Sequence, residues 1–322
     1  MKKQFIETTF RNVLLPVALI GFTASAHALT LSVDTEAYAP TGSTGVQQSN
    51  VNATGSGSAS AYSSDATADY NSSAYSRGFV RDDGVMGAGA NGSGESYTSW
   101  SGISWADSYT NTSLTAEDIA FDFLIWGGSL GTYGVNAAGE SASASYWIDI
   151  LVNGTSAWSS SATLTTTSGG SAVTEAGTSL GGTLSTWSGD GGNYFWTDTT
   201  ASLDLGTLDV GETLTLEYIM GTSATGIGVM DTGTNCYGEE GEFLDSDGGF
   251  QEEEGYFGCG GVSSYTGIGD PFGFSASAPL APTISGTAVA SVPEPETFLL
   301  LGAGAFAMTF VSRRRKKLTA KK

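Results

Sequence analysis

Large apolar side chains in this chain recur at every second position, in several separate segments. That spacing admits a β-strand with one buried face and rules out an amphipathic helix over the same residues. Ile119-Ala-Phe121-Asp-Phe123-Leu-Ile125-Trp126 is the clearest case. Tyr146 to Val152 alternates in the same way, and Asn153-Gly154 then supplies a hairpin turn into a Thr-rich return over Ala162 to Thr167. Leu203-Asp-Leu205-Gly-Thr-Leu208 precedes Val210-Gly211-Glu212 and a strand from Thr213 to Met220. Leu214, Leu216, Tyr218 and Met220 share one face of it, Thr213, Thr215 and Glu217 the other. A last strand candidate covers Ile284 to Val289. Glycine is abundant (46 residues) and marks turns at Gly169-Gly170, Gly181-Gly182 and Gly189 to Gly192, while helix signals are scarce. The expected fold class is all-β, a β-sandwich or jelly roll. Residues 42–76 carry fewer large apolar groups. Their tyrosines favour outer strands, with Ala59, Ala61, Tyr62, Tyr70 and Tyr75 as a candidate face, and a flexible leader over 29–76 is the alternative. No repeat of fixed period is visible, which argues against a solenoid.

Both ends read as address labels. Lys2, Lys3 and Arg11 precede the apolar run Val13 to Phe22, and small residues follow to Ala26-His27-Ala28. This is the pattern of a secretory signal peptide over 1–28, cut after Ala28 or, as the close alternative, after Ala26. At the other end an apolar stretch, Thr297 to Ser312, runs into Arg313, Arg314, Arg315, Lys316 and Lys317, with a short basic end over 318–322. Sixteen helical residues span about 24 Å, short of a bilayer core of about 30 Å, a gap that snorkelling basic side chains make up. A basic block on the cytoplasmic side places the body outside.

The body, residues 29–291, holds 30 acidic residues against Arg77 and Arg81 and has no lysine, a formal charge of −28. Such a field excludes nucleic acid and anionic membrane faces as partners and attracts divalent cations. Cys236 and Cys259 are the only cysteines. In an exported chain an even pair suggests one disulfide, with free thiols as the alternative; the spacing is neither a zinc nor a redox motif. Between them lie Glu239, Glu240, Glu242, Asp245, Asp247, Glu252, Glu253 and Glu254. Carboxylates so crowded repel one another unless solvated or bridged, so calcium is the metal to consider and a solvated acidic loop is its rival. Asp245-Ser-Asp247-Gly248 opens like an EF-hand loop but fails at the twelfth position, Tyr256.

Catalytic patterns fare badly. Gly127-Gly-Ser129-Leu-Gly131 and Gly177-Thr-Ser179-Leu-Gly181 match the nucleophile-elbow spacing. However, His27 is the sole histidine and no lysine lies in the body, so no base can serve either serine. Gly87-Ala-Gly89-Ala-Asn-Gly92 fits a phosphate-loop pattern without the strand-then-helix context it requires. Without histidine, zinc, copper and iron sites are also unexpected. Glycoside hydrolysis survives because it needs only two carboxylates. Trp100, Trp105, Trp126, Trp147, Trp158, Trp187 and Trp196 suit sugar stacking, though packing is the commoner fate of tryptophan. Five sequons, at Asn52, Asn71, Asn91, Asn111 and Asn153, are expected by chance in so Ser/Thr-rich a chain.

Val292-Pro293-Glu294-Pro295-Glu296, then the apolar helix, then the arginine block, resembles the PEP-CTERM sorting signal of Gram-negative bacteria, over 292–317. The resemblance implies handling by an exosortase after the secretion machinery, with the membrane held only through the C-terminal helix before processing. It also implies association with exopolysaccharide, biofilm or floc at the surface or outside the cell. The expectation is a non-catalytic surface or matrix protein; the alternative is a secreted glycosidase or carbohydrate-binding module.

Overall fold

The structure, a computed structural model, describes residues 29–40, 44–53, 56–67, 72–187, 190–229, 241–244, 250–253, 261–270 and 283–288. Among them every regular element is a β-strand, and every strand pairing is antiparallel.

Two seven-stranded sheets form a sandwich. Sheet I runs β11 (Gly170–Gly177), β10 (Thr155–Thr167), β9 (Ser141–Val152), β15 (Thr213–Ile227), β6 (Ser96–Thr110), β1 (Thr30–Tyr38) and β2 (Val46–Asn52). Sheet II runs β12 (Thr183–Trp187), β13 (Gly191–Trp196), β8 (Gly128–Tyr133), β18 (Val262–Asp270), β5 (Met86–Gly94), β4 (Ser72–Arg81) and β3 (Ser58–Ala66). The strands of the two sheets face one another in matching order, from β2 over β3 at one end to β11 over β12 at the other. This is the aligned packing that sheet twist favours. β6 and β15 are 15 residues long, about 50 Å at the antiparallel rise, longer than any strand of sheet II. A third sheet, β14 (Thr199–Leu208), β7 (Glu117–Ile125) and β19 (Thr283–Ala288), covers the remaining length of sheet I. A two-stranded hairpin, β16 (Gly241–Leu244) with β17 (Phe250–Glu253), completes the set.

The core has two textures. Under the third sheet it is aromatic: Phe121 stacks on Phe123 with ring centroids 5.5 Å apart, and Tyr218 meets both edge-on. Ile119, Ile125, Leu214 and Leu216 complete this end, so the alternation read from the sequence is the alternation of burial. Under sheet II the inner faces mix many Ala, Ser, Thr and Gly with larger groups such as Met86, Leu130, Tyr146 and Trp196. Some buried hydroxyls there satisfy one another across the sandwich, as in Thr35 with Ser63 and Thr132 with Thr166, at 2.8 and 2.7 Å, whereas those of Ser101, Thr222 and Thr266 have no hydrogen-bond partner. A buried hydroxyl without a partner costs on the order of 1–3 kcal/mol, so these pairs are what let so polar a core close.

Many of the glycines lie inside strands, beneath an aromatic ring. A Cβ on Gly92 would come within 2.1 Å of the Tyr97 ring, and one on Gly226 within 2.3 Å. Tyr97, fully buried between them, donates to Ser264 at 2.9 Å. Burial outweighs that bond and holds its hydroxyl far above the usual tyrosine range. Gly191 and Gly192, expected in a turn, stand in β13 for the same kind of reason: a Cβ on Gly191 would meet the Thr132 backbone.

In the segment 42–76 the described residues form β2, β3 and the start of β4. Ala59 and Ala61 point inward, but Tyr62 and Tyr75 sit on the opposite, outer face. β2 also seals an edge. Asn50 donates its amide to the Ser60 carbonyl, Asn52 donates to Ser56 and Ser58, and Gln48 accepts from the Tyr62 N–H. Side chains of one sheet's edge strand thus occupy backbone groups of the other's, which blunts an edge open to aggregation. At Asn153-Gly154 φ is positive at both residues (50° and 75°), the signature of the expected type I′ hairpin.

Glu140 fastens the far end. Its carboxylate, buried at 7% exposure, accepts N–H bonds from Asn136 and Ala137 at 2.7 Å and from Val229 at 3.1 Å. Burial alone would raise its pKa, but the three bonds outweigh it and the carboxyl titrates below its ordinary value. The stabilisation is therefore complete above the unfolded pKa of about 4.3 and lost as pH falls through the lower folded value. Glu140→Gln is expected to lower stability at pH 7 by roughly 1–3 kcal/mol and to flatten the acid limb of a stability–pH curve measured by urea unfolding.

Candidate functional site

Three features bear on function: the outer face of sheet I, the outer face of sheet II, and the sorting tail.

On the outer face of sheet I two indoles lie over in-strand glycines. Trp147 covers Gly221, where a Cβ would come within 2.2 Å of its ring, and Trp100 covers Gly102 at 2.7 Å. Gly221 and Gly102 are direct cross-strand partners, and Asp34 pairs with Gly102 on the next strand. Beside Trp100 opens a groove of about 340 Å³ bordered by Asp34, Glu36, Gln47 and Ser49. Asp34 and Glu36 alternate along β1 on this face, about 7 Å apart at the strand rise. Tyr38 donates to Glu36 at 3.2 Å.

The outer face of sheet II has different chemistry. Tyr62, Tyr75, Tyr265, Tyr133, Phe195 and Trp187 occupy alternate outward positions from β3 to β12. Tyr133 stacks on Trp187 with centroids 4.7 Å apart and on Tyr265 at 5.8 Å, both within 16° of parallel. Tyr62 meets Tyr75 edge-on at 4.9 Å. Tyr265 lies over Gly131, where no side chain fits beneath it. Trp187, Tyr133, Phe195 and Tyr62 are 38 to 44% exposed, so rings that a core would swallow here face water. Among the described residues this face carries no Asp or Glu, and both arginines of the body, Arg77 and Arg81, lie on it. Arg81 is bonded at 2.6 Å to Asp83 in the adjoining turn. Sequence reasoning grouped the tryptophans but missed this face, since its rings come from six strands far apart in the chain. The usable signal was local: a large ring at the polar phase of an alternating strand, as with Tyr62 among the serines of β3.

Cys236, Cys259, Glu239, Glu240, Asp245, Asp247 and Glu254 lie outside the described residues, as do Pro293, Glu294, Pro295, the apolar tail and Arg313 to Lys317. Glu242 falls in β16, and Glu252 and Glu253 in β17, with their backbones alone described; Glu242 and Glu252 are direct partners across that hairpin. Among the described residues no group of three or more His, Cys, Asp or Glu is gathered to hold a metal ion.

Ser129 is in β8, and Ser179 donates to Glu175 at 2.9 Å. Gly87 to Gly92 lie within β5, with no helix following. Asn111 is fully buried and spends its amide on the carbonyls of Thr115 and Leu208, which removes it as an acceptor for sugar.

Fold and surface define an acidic, all-β sandwich with broad aromatic faces. The tail adds the address: residues 291–316 match a family model for the PEP-CTERM protein-sorting motif, at the position read from the sequence. The chain is thus an exported protein and the partner of an exosortase. No curated protein and no solved structure matches it.

Proposed function

We propose that the body is a non-catalytic surface or extracellular-matrix protein, released from the inner membrane by exosortase processing and associated with exopolysaccharide in biofilm or floc. The observation that carries the reading is the sorting motif joined to a sandwich whose outer faces are dressed with aromatic rings, amides and hydroxyls. Aromatic faces carry partial negative charge and suit the C–H faces of sugar rings, while amides and hydroxyls suit their edges. The absence of lysine and of any histidine beyond His27 removes the common bases and nucleophile activators from the body. The acidic segment between Cys236 and Cys259 supplies oxygen ligands through which calcium would bridge chains to the matrix.

A strain lacking the gene tests this. It is expected to form weaker flocs or biofilm with reduced dependence on calcium. Normal flocs with unchanged calcium dependence would sink the matrix role.

A second reading, glycoside cleavage, is favoured among the described residues by Asp34 and Glu36, which stand at alternate positions of β1 and flank a groove beside Trp100; the reaction needs such a pair of carboxyl groups. Incubation with the host's own polysaccharide separates the readings. New reducing ends, abolished in Asp34→Asn or Glu36→Gln, would establish cleavage, and none are expected.

A further inference from the structure

We infer that the outer face of sheet II is the polysaccharide-binding surface, and that its ligand is an uncharged glycan chain laid across the strands. The inference rests on the proposed matrix role and names where the contact is made and with what.

Three observations carry it. The first is charge. The body has 30 acids, yet none of the described residues on this face is acidic, while the outer face of sheet I carries Asp34, Glu36, Asp149 and Glu217. A neutral polymer docking here desolvates no carboxylate, whereas burying an unpaired one is costly. A polyanion would approach against a field of −28 with one of the two local arginines already held by Asp83. The second is texture. The six rings are interleaved with Asn91, Asn193 and a set of serines, so the face is not one apolar patch of the sort that marks a protein interface core. A sugar chain offers C–H faces to the rings and hydroxyls to the polar groups between them. The third is extent. The rings run from β3 to β12, six strand intervals or about 29 Å at the usual spacing of about 4.8 Å, a track long enough for an extended chain.

Each end of the track has its own anchor. At one, Trp187 and Tyr133 form the stacked pair, with Tyr265 continuing inward; at the other, Tyr62 stands against Tyr75. Rings held by one another lose little freedom on binding, which favours affinity.

Affinity electrophoresis of the full-length chain in mild detergent tests the inference, with hydroxyethyl cellulose as the neutral probe and alginate as the anionic one. Hydroxyethyl cellulose should retard the chain, and alginate should not. Trp187→Ala and Tyr133→Ala should each weaken retardation roughly tenfold, as expected of hot-spot rings. Trp187→Phe should keep most of it, and Leu114→Ala, in the exposed loop between β6 and β7, should leave it unchanged. Near-UV circular dichroism identifies any variant that fails to fold, in which case Tyr62→Ala at the opposite end of the track decides. Undiminished binding in a folded Trp187→Ala/Tyr133→Ala double variant would overturn the site while leaving the matrix role intact. Preference for alginate would overturn the ligand class. Self-association abolished by the same variants, without glucan binding, would make the face an interface between copies instead. Failure to bind these probes and the host's own polysaccharide alike would count against the matrix role itself.

Discussion

Gly92→Ala is expected to destabilise the body by about 3 kcal/mol or more, although it adds a single methyl group. That methyl would meet the Tyr97 ring at 2.1 Å, and the ring has nowhere to go, because Gly226 backs it and Ser264 holds its hydroxyl. For a body of this size the loss corresponds to roughly 6–12 °C in melting temperature. The backbone at Gly92 is not among those with positive φ, so space alone is at issue. A double-mutant cycle makes the point separable. Tyr97→Ala removes a fully buried ring and should itself cost about 3–5 kcal/mol. In that background most of the Gly92→Ala penalty should vanish, since the atoms in conflict are gone. Additive losses, measured by thermal or urea unfolding, would show that the glycine serves something other than the ring.

Truncation at residue 291 should change where the protein resides and leave its fold alone. The removed segment holds the whole sorting motif but none of the described strands. The exosortase would then have no substrate sequence, and the apolar run and arginine block would no longer hold the chain in the inner membrane. The expected result is loss of the surface-attached form and appearance of a soluble body with an unchanged melting temperature. Fractionation and immunoblotting check the first part, circular dichroism the second. Surface attachment at the normal level in the truncated strain would mean that the body is retained by contacts of its own, independent of the tail.

The strands with large apolar residues were legible because burial on one face writes itself into the sequence at period two. Phe121, Phe123, Leu214, Leu216 and Tyr218 all behave as their spacing requires. The hairpin at Asn153-Gly154 was legible because left-handed backbone favours those residues there. β3, β4 and β5 were harder to read. Apart from Asp65, Val80 and Met86 their inner faces are Ala, Ser and Gly, residues whose size carries no clear mark of inside or outside, and hydroxyls such as Ser63 and Ser76 find their partners on another strand. Gly191 and Gly192 stand in a strand where their spacing suggests a turn, for a related reason. Gly192 and Gly191 look like loop residues until Thr132 and its neighbours are brought alongside, and no local window contains both. The aromatic face of sheet II was illegible in the same way. Tyr62 and Trp187 become neighbours of one track only after seven strands are laid in an order, β12-β13-β8-β18-β5-β4-β3, that departs from chain order. The sorting motif needed no such assembly, because its three parts are contiguous, and the family match falls on those residues.

Export followed by processing at the tail underlies every role proposed for the body. Intact-mass measurement of the chain recovered from its native host, with its location recorded, tests this most directly. The predicted result is a body outside the inner membrane that begins at Leu29 and ends near Pro293, without the arginine block. A chain still carrying Arg313 to Lys317 and residing in the inner membrane would contradict it.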